Sequence, residues 1–103
     1  MSSEYFQKVW AIVARIPTGK VATYKQIAVM LGNPFAARIV GWAMNGIPDN
    51  MDLPWHRVIN SKGRVSSRNR EHEAEIQQRL LTAEGIEFDM NGTIDLERFQ
   101  WQT

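Results

Sequence analysis

Residues 23–46 constrain the fold of this chain more than any other stretch. Thr23-Tyr24-Lys25-Gln26 has the form of a capping box: the threonine hydroxyl bonds forward to the helix and the glutamine reaches back. Ile27, Ala28 and Leu31 then share one face, and Gly32 ends the segment. Asn33-Pro34 reads as the N-cap and first residue of a second helix. That helix carries Phe35, Ala36, Ala37, Ile39, Val40, Ala43 and Met44 and stops near Gly46. Two short helices joined by Gly32-Asn33-Pro34 have the sequence form of a helix-turn-helix, and the rest of the chain must supply the core they pack on.

The flanking segments can do so. Phe6, Val9, Trp10, Val13 and Ile16 recur at three- and four-residue steps, which predicts a helix from Tyr5 to Ile16, with Ser3 as N-cap and Pro17 as its stop. Pro48 to Pro54 is a loop. Val58-Ile59 predicts a short extended piece turned by Asn60-Ser61-Lys62-Gly63 and returning through Val65. Glu71 to Glu84 is predicted helical, with Ala74, Ile76, Leu80, Leu81 and Ala83 on its apolar side. Alternation of Ile86, Phe88 and Met90, then Asn91-Gly92, then Ile94 and Leu96 predicts a type I′ hairpin. The fold class is therefore mostly α with a small β-wing, a winged helix-turn-helix-like arrangement in one domain spanning residues 1–103. A hydrophobic share of 44% and a charged share of 22% are those of a globular chain, which excludes low complexity.

Absent residue types exclude whole chemistries. With no cysteine there is no disulfide scaffold, no thiolate metal site and no thiol nucleophile. Two histidines alone make a poor zinc site, so no metal and no cofactor are expected. Neither a signal peptide nor an apolar run of membrane length is recognisable, so no membrane role is expected and a soluble intracellular protein is the default. The net charge of +1 conceals an asymmetry. Residues 1–70 hold ten Lys/Arg against three Asp/Glu, and residues 71–103 hold two against eight. A basic body suits a bound polyanion, although ordinary solvated charge would give the same balance.

Two segments carry candidate chemistry. The second helix opens Pro34-Phe35-Ala36-Ala37-Arg38. Adjacent alanines let a backbone approach a groove closely but read few bases, leaving Arg38 as the single long reach. The same alanines would equally serve if they faced the core and Arg38 were simply solvated. Pro54-Trp55-His56-Arg57-Val58-Ile59 places an aromatic, an imidazole and a guanidinium in succession. A core tryptophan beside a hydrogen-bonded histidine would account for it without any function.

Five pieces in order resemble a known family: Gly19-Lys20-Val21-Ala22-Thr23-Tyr24-Lys25-Gln26-Ile27-Ala28, Gly32-Asn33-Pro34, Ala36-Ala37-Arg38-Ile39-Val40-Gly41, Pro54-Trp55-His56-Arg57-Val58-Ile59 and Ala83-Glu84-Gly85. Together they are similar to the C-terminal DNA-binding domain of O6-alkylguanine-DNA alkyltransferases. Those enzymes have Pro-Cys-His-Arg where this chain has Pro54-Trp55-His56-Arg57, and the cysteine accepts the alkyl group. Trp55 in that place is the pattern of alkyltransferase-like proteins. Indole is no substitute nucleophile, because its nitrogen is a donor only.

The resemblance implies a non-enzymatic sensor. It would bind O6-alkylguanine in double-stranded DNA through the minor groove, flip the lesion into a pocket and mark it for nucleotide excision repair proteins. It would act as a monomer, cytoplasmic and nucleoid-associated in a bacterium or nuclear in a eukaryote. Tyr24 would crowd a phosphate and help rotate the nucleotide. Arg38 would enter the stack in place of the extruded base. Asn33, Ala36 and Ala37 would shape the DNA-facing helix start. Trp55, Tyr24 and backbone groups near Val58 would line the lesion pocket. Arg68 would stack on the flipped base, or contact phosphate within the basic run Arg57, Lys62, Arg64, Arg68 and Arg70. His56 and Glu84 match the enzymes' proton relay and, with no thiol to activate, would persist as a structural hydrogen-bonded pair. Ile47 stands where the enzymes have an asparagine that orders the active-site turn. Two alternatives remain at this point. One is a winged-helix protein with no lesion specificity; the other is a residual methyltransferase or hydrolase using Ser66, Ser67 or a histidine.

Overall fold

A computed structural model describes residues 2–65 and 71–103. Helix α1 (Ser2–Val13) buries Val9, Ile12 and Val13 and leaves Phe6 and Trp10 half-buried. It begins at Ser2, so Ser3 lies inside it instead of capping it. It also ends three residues before Ile16. Arg15 N–H donates to Ile12 O and Ile16 N–H to Val13 O, tighter i→i−3 bonds that close the last turn ahead of Pro17.

Strand β1 (Ala22–Thr23) leads directly into α2 (Tyr24–Met30). The capping box forms as the sequence predicts: Gln26 N–H donates to Thr23 Oγ1 at 3.0 Å and Thr23 N–H to Gln26 Oε1 at 3.3 Å. The helix closes in a Schellman motif, with Gly32 N–H on Val29 O and Asn33 N–H on Ala28 O.

Helix α3 (Ala37–Asn45) starts later than Asn33-Pro34 suggests. Asn33 does accept a backbone N–H, but from Phe35 at 3.0 Å, forming a local Asx turn. Ala36 is the residue that precedes the helix, and it supplies no capping side chain. Trp10 Nε1 donates to Ala43 O at 2.8 Å and ties α1 to α3.

After a loop, a 3₁₀ turn (Trp55–Arg57) runs into strand β2 (Val58–Ile59). β2 pairs in parallel with β1, Ala22 opposite Val58 and Thr23 opposite Ile59. Beyond β2 the expected turn closes with Gly63 N–H on Asn60 O, and the chain returns with Asn60 N–H donating to Arg64 O at 3.1 Å, although Val65 itself joins no strand. Alternate residues of the two strands enter different cores. Ala22 and Val58 belong to the cluster of α1, α2 and α3. Val21 and Ile59 belong to a second cluster with Leu81, Ile86, Ile94 and Phe99.

Helix α4 (Glu71–Ala83) contributes Leu81 and the buried Gln77 to the interior. Ile76 and Leu80, expected inside, are 36% and 38% exposed. The C-terminal wing is smaller than the alternation suggests: one antiparallel bridge joins Phe88 and Ile94. Its turn is not type I′, since Asn91 keeps a negative φ and only Gly92 takes a positive one, +77°. Gly92 N–H reaches Asp89 O and Asp89 N–H reaches Thr93 O, the pattern of a type I turn followed by a glycine bulge. Leu96 opens helix α5 (Leu96–Phe99) instead of extending a strand, because Asp95 caps Glu97 N–H at 3.1 Å. The chain then returns to β1: Val21 N–H donates to Phe99 O at 3.0 Å and Trp101 N–H to Val21 O at 2.7 Å.

Gly63 is held where no other residue fits. Its φ is +80°, and a Cβ would lie 2.7 Å from Ile94 O, whose own N–H is bonded to Gly63 O. Gly63→Ala is expected to destabilise the fold by about 2 kcal/mol or more, since left-handed strain and a backbone clash add. A denaturation midpoint equal to that of the parent would contradict this.

Candidate nucleic-acid interface

The N-terminus of α2, one face of α3, the loop after it and the 3₁₀ turn enclose a cleft of about 1010 Å³. Tyr24, the first residue of α2, lines it, as do Ala37, Arg38, Gly41 and Trp42 of α3. Ile47, Met51 and Trp55 line it as well. Arg38 is exposed and makes no hydrogen bond or ion pair among the described residues. Trp55 is half-buried and meets His56 edge-on, their ring centroids 6.1 Å apart and their planes at 85°.

The two alanines have parted company. Ala37 lies on the cleft, whereas Ala36 is 3% exposed and packs in the first core. Only one of them faces the surface, and the expectation that both shape the DNA-facing side is corrected by the late start of α3. Asn33 is exposed but does not line the cleft, and its side chain is used in the Asx turn. Val58 is 1% exposed and reaches the cleft wall. Both of its backbone groups are engaged: its N–H donates to Trp55 O, and its carbonyl accepts from Gln77 Nε2 at 2.9 Å. A guanine edge at this point would share the second lone pair of that carbonyl. Arg68, Ser66, Ser67 and Arg70 lie outside the described residues.

Behind Trp55, and not lining the cleft, His56 Nε2 and Glu84 Oε2 are 2.6 Å apart. The pair is part of a larger cluster that the sequence did not reveal. Arg57 donates from Nε to both Glu84 oxygens, at 3.0 and 3.1 Å, and from Nη2 to Oε2 at 2.9 Å. It also donates to Ile16 O at 2.8 Å and Thr18 Oγ1 at 3.0 Å, while Gly19 N–H donates to Glu84 Oε1 at 2.9 Å. Burial by itself would raise the pKa of Glu84. The Arg57 hydrogen bonds, the Gly19 N–H, the His56 bond and the Arg57 charge together outweigh it and hold the carboxyl at about 2. Arg57 is thus a structural clamp and not a member of a phosphate-facing strip. Arg64 is likewise committed, donating to Asn91 O at 2.6 Å.

Gln77 is the second residue that sequence reading missed. It is 5% exposed and donates to His56 O at 3.0 Å as well as to Val58 O, so it fixes the backbone that carries Trp55. Nothing local in the sequence singles it out, since Gln78 stands beside it. Chemically, the cleft offers the indoles of Trp42 and Trp55, the Tyr24 phenol, the cations of Lys25 and Arg38 and the carboxylates of Asp49 and Glu73. No group of three or more His, Cys, Asp and Glu that could hold a metal exists among the described residues.

A helix-turn-helix whose second helix opens onto an aromatic cleft is a nucleic-acid-binding architecture, and comparison with known proteins gives the family. Residues 4–86 match the model of the 6-O-methylguanine DNA methyltransferase DNA-binding domain, and the chain belongs to that family. Within it, the chain is alkyltransferase-like. It is 38% identical over 103 residues to alkyltransferase-like protein 1 of Schizosaccharomyces pombe, covering 96% of this chain and 95% of that one. It is 42% identical over 99 residues to the DNA base-flipping protein of Vibrio parahaemolyticus, covering 96% and 97%. The fold superposes on the crystal structure of S. pombe Atl1 in complex with damaged DNA containing O6-carboxymethylguanine. That match has a TM-score of 0.86 and 38% identity, and covers 98% of this chain and 97% of the other.

Proposed function

We propose that this protein is a non-enzymatic sensor of O6-alkylguanine in duplex DNA. The observation that carries the reading is that Tyr24, Arg38 and Trp55, drawn from three separate elements, line one cleft. Helix α3 docks in the minor groove, and Tyr24 crowds the phosphate beside the lesion. Arg38 fills the space the extruded nucleotide leaves, and the base enters the cleft against Trp55. Flipping costs a few kcal/mol, least for a damaged pair. A guanidinium stacked in the gap returns part of that cost. A relative with the same fold has been crystallised with damaged DNA, and others are named for base flipping, which supports the same activity here.

No transfer follows binding. The chain has no cysteine, and the indole of Trp55 has no lone pair free to attack carbon. The held lesion is instead a mark for nucleotide excision repair proteins, and the protein acts as a monomer. The deciding experiment is a titration of two duplexes that differ only in guanine or O6-methylguanine, with intact-mass spectrometry of the protein afterwards. Tighter binding of the damaged duplex, by tenfold or more as one flipped-base contact set is worth, is expected with no gain in protein mass. Equal affinities, or a protein heavier by one methyl group, would overturn the proposal.

A further inference from the structure

Trp42 differs from the other three tryptophans in its contacts among the described residues. Trp10 donates its indole N–H to Ala43 O, Trp101 lies beneath the Arg15 guanidinium at 5.5 Å, and Trp55 meets His56. The indole of Trp42 makes no hydrogen bond or ring contact among the described residues, and the residue is 53% exposed. It follows Arg38 by four positions on α3, so the two side chains are neighbours on one helix face, and both line the cleft. Between them sits Gly41, also on the cleft, where a Cβ would meet nothing within 4 Å. No protein atom demands a glycine there. The strip from Arg38 to Trp42 is therefore a low surface ending in a flat apolar ring.

We propose that Trp42 is a second contact of α3 with the duplex, independent of the lesion: its ring lies on the deoxyribose edge of the groove one helical turn along from Arg38. The inference rests on the docking of α3 described above. A helix that sends Arg38 into the stack presents its next turn to the same duplex. A neutral indole suits the sugar edge better than the phosphates, since its ring offers apolar area and its one polar group is a donor. Because every nucleotide carries the same sugar, the contact adds affinity without adding selectivity.

The test is fluorescence anisotropy with labelled duplexes carrying guanine, O6-methylguanine or O6-benzylguanine, using the parent protein, Trp42→Ala and Trp42→Phe. Trp42→Ala is expected to weaken binding of all three by the same factor, roughly tenfold for a half-exposed indole losing its buried area. The dependence on salt should not change, because no charge is removed. Trp42→Phe should recover most of the loss. Unchanged affinity for the undamaged duplex would overturn the inference. So would a loss confined to O6-benzylguanine, which would place Trp42 against the lesion's substituent. A parent protein without lesion preference would overturn the sensor reading instead, and the factor measured on undamaged DNA would still decide the part played by Trp42.

Discussion

Arg38→Ala should lower affinity for a duplex containing O6-methylguanine by roughly ten- to a hundredfold and remove most of the discrimination against guanine. The range follows from what one stacked planar group contributes, about 1–3 kcal/mol. It also follows from position: Arg38 is exposed on the cleft and tied to no partner among the described residues, so its guanidinium is available to the stack. Arg38→Lys should recover only the part that depends on charge, because an ammonium cannot stack as a plane. Tyr24→Ala should act in the same direction. Titration of both duplexes checks each variant. If Arg38→Ala lost affinity equally on damaged and undamaged DNA, and with a shallower salt slope, Arg38 would be an ordinary phosphate contact.

Glu84→Ala is expected to destabilise the fold by about 3 kcal/mol, near the lower end for breaking a buried ion pair because Glu84 and Arg57 retain 13% and 15% exposure. For a chain of this size that is a fall of roughly 15 °C in Tm. The loss is large because one carboxylate serves Arg57, His56 and the Gly19 N–H together. Acid should do the same gradually. The carboxyl titrates near 2 in the folded protein against an ordinary 4.5. Its contribution is therefore complete above pH 4.5 and is lost as the pH falls from there towards 2. Glu84→Gln should flatten that part of the stability curve. Thermal melts across the acid range check both, and a parent-like Tm for Glu84→Ala would contradict the clamp.

Signals that act over three or four residues were legible. The Thr23–Gln26 box, the Gly32 stop and the helix from Glu71 could be read because their partners are neighbours in sequence. Where two local signals competed, the reading slipped: Asn33 could cap a helix or close an Asx turn, and tertiary packing of Ala36 chose the turn. Asn91-Gly92 suits a type I′ turn, but the loop has one residue more, so a glycine bulge formed. Pairing of Ala22–Thr23 with Val58–Ile59 was not legible, because two-residue strands carry no period and their partners lie far apart in the chain. In the site, Tyr24, Arg38 and Trp55 could be named from the resemblance, and they share a cleft. Arg57 read as one more cation in a basic run, since nothing local to it marks Glu84 as its partner. Gln77 and Trp42 carried too little pattern to be singled out.

The alternation of Ala22 and Val58 into one core and Val21 and Ile59 into the other has a consequence for Trp55. Sliding β2 by a single residue along β1 would exchange Val58 and Ile59 between two interiors of different shape, so the strand has one permitted setting. Trp55 stands three positions upstream, joined to that strand by a single tight turn. Its place on the cleft is thus indexed by the packing of two aliphatic side chains, and an insertion or deletion between residues 55 and 58 would shift the indole while leaving every cleft-lining residue type unchanged.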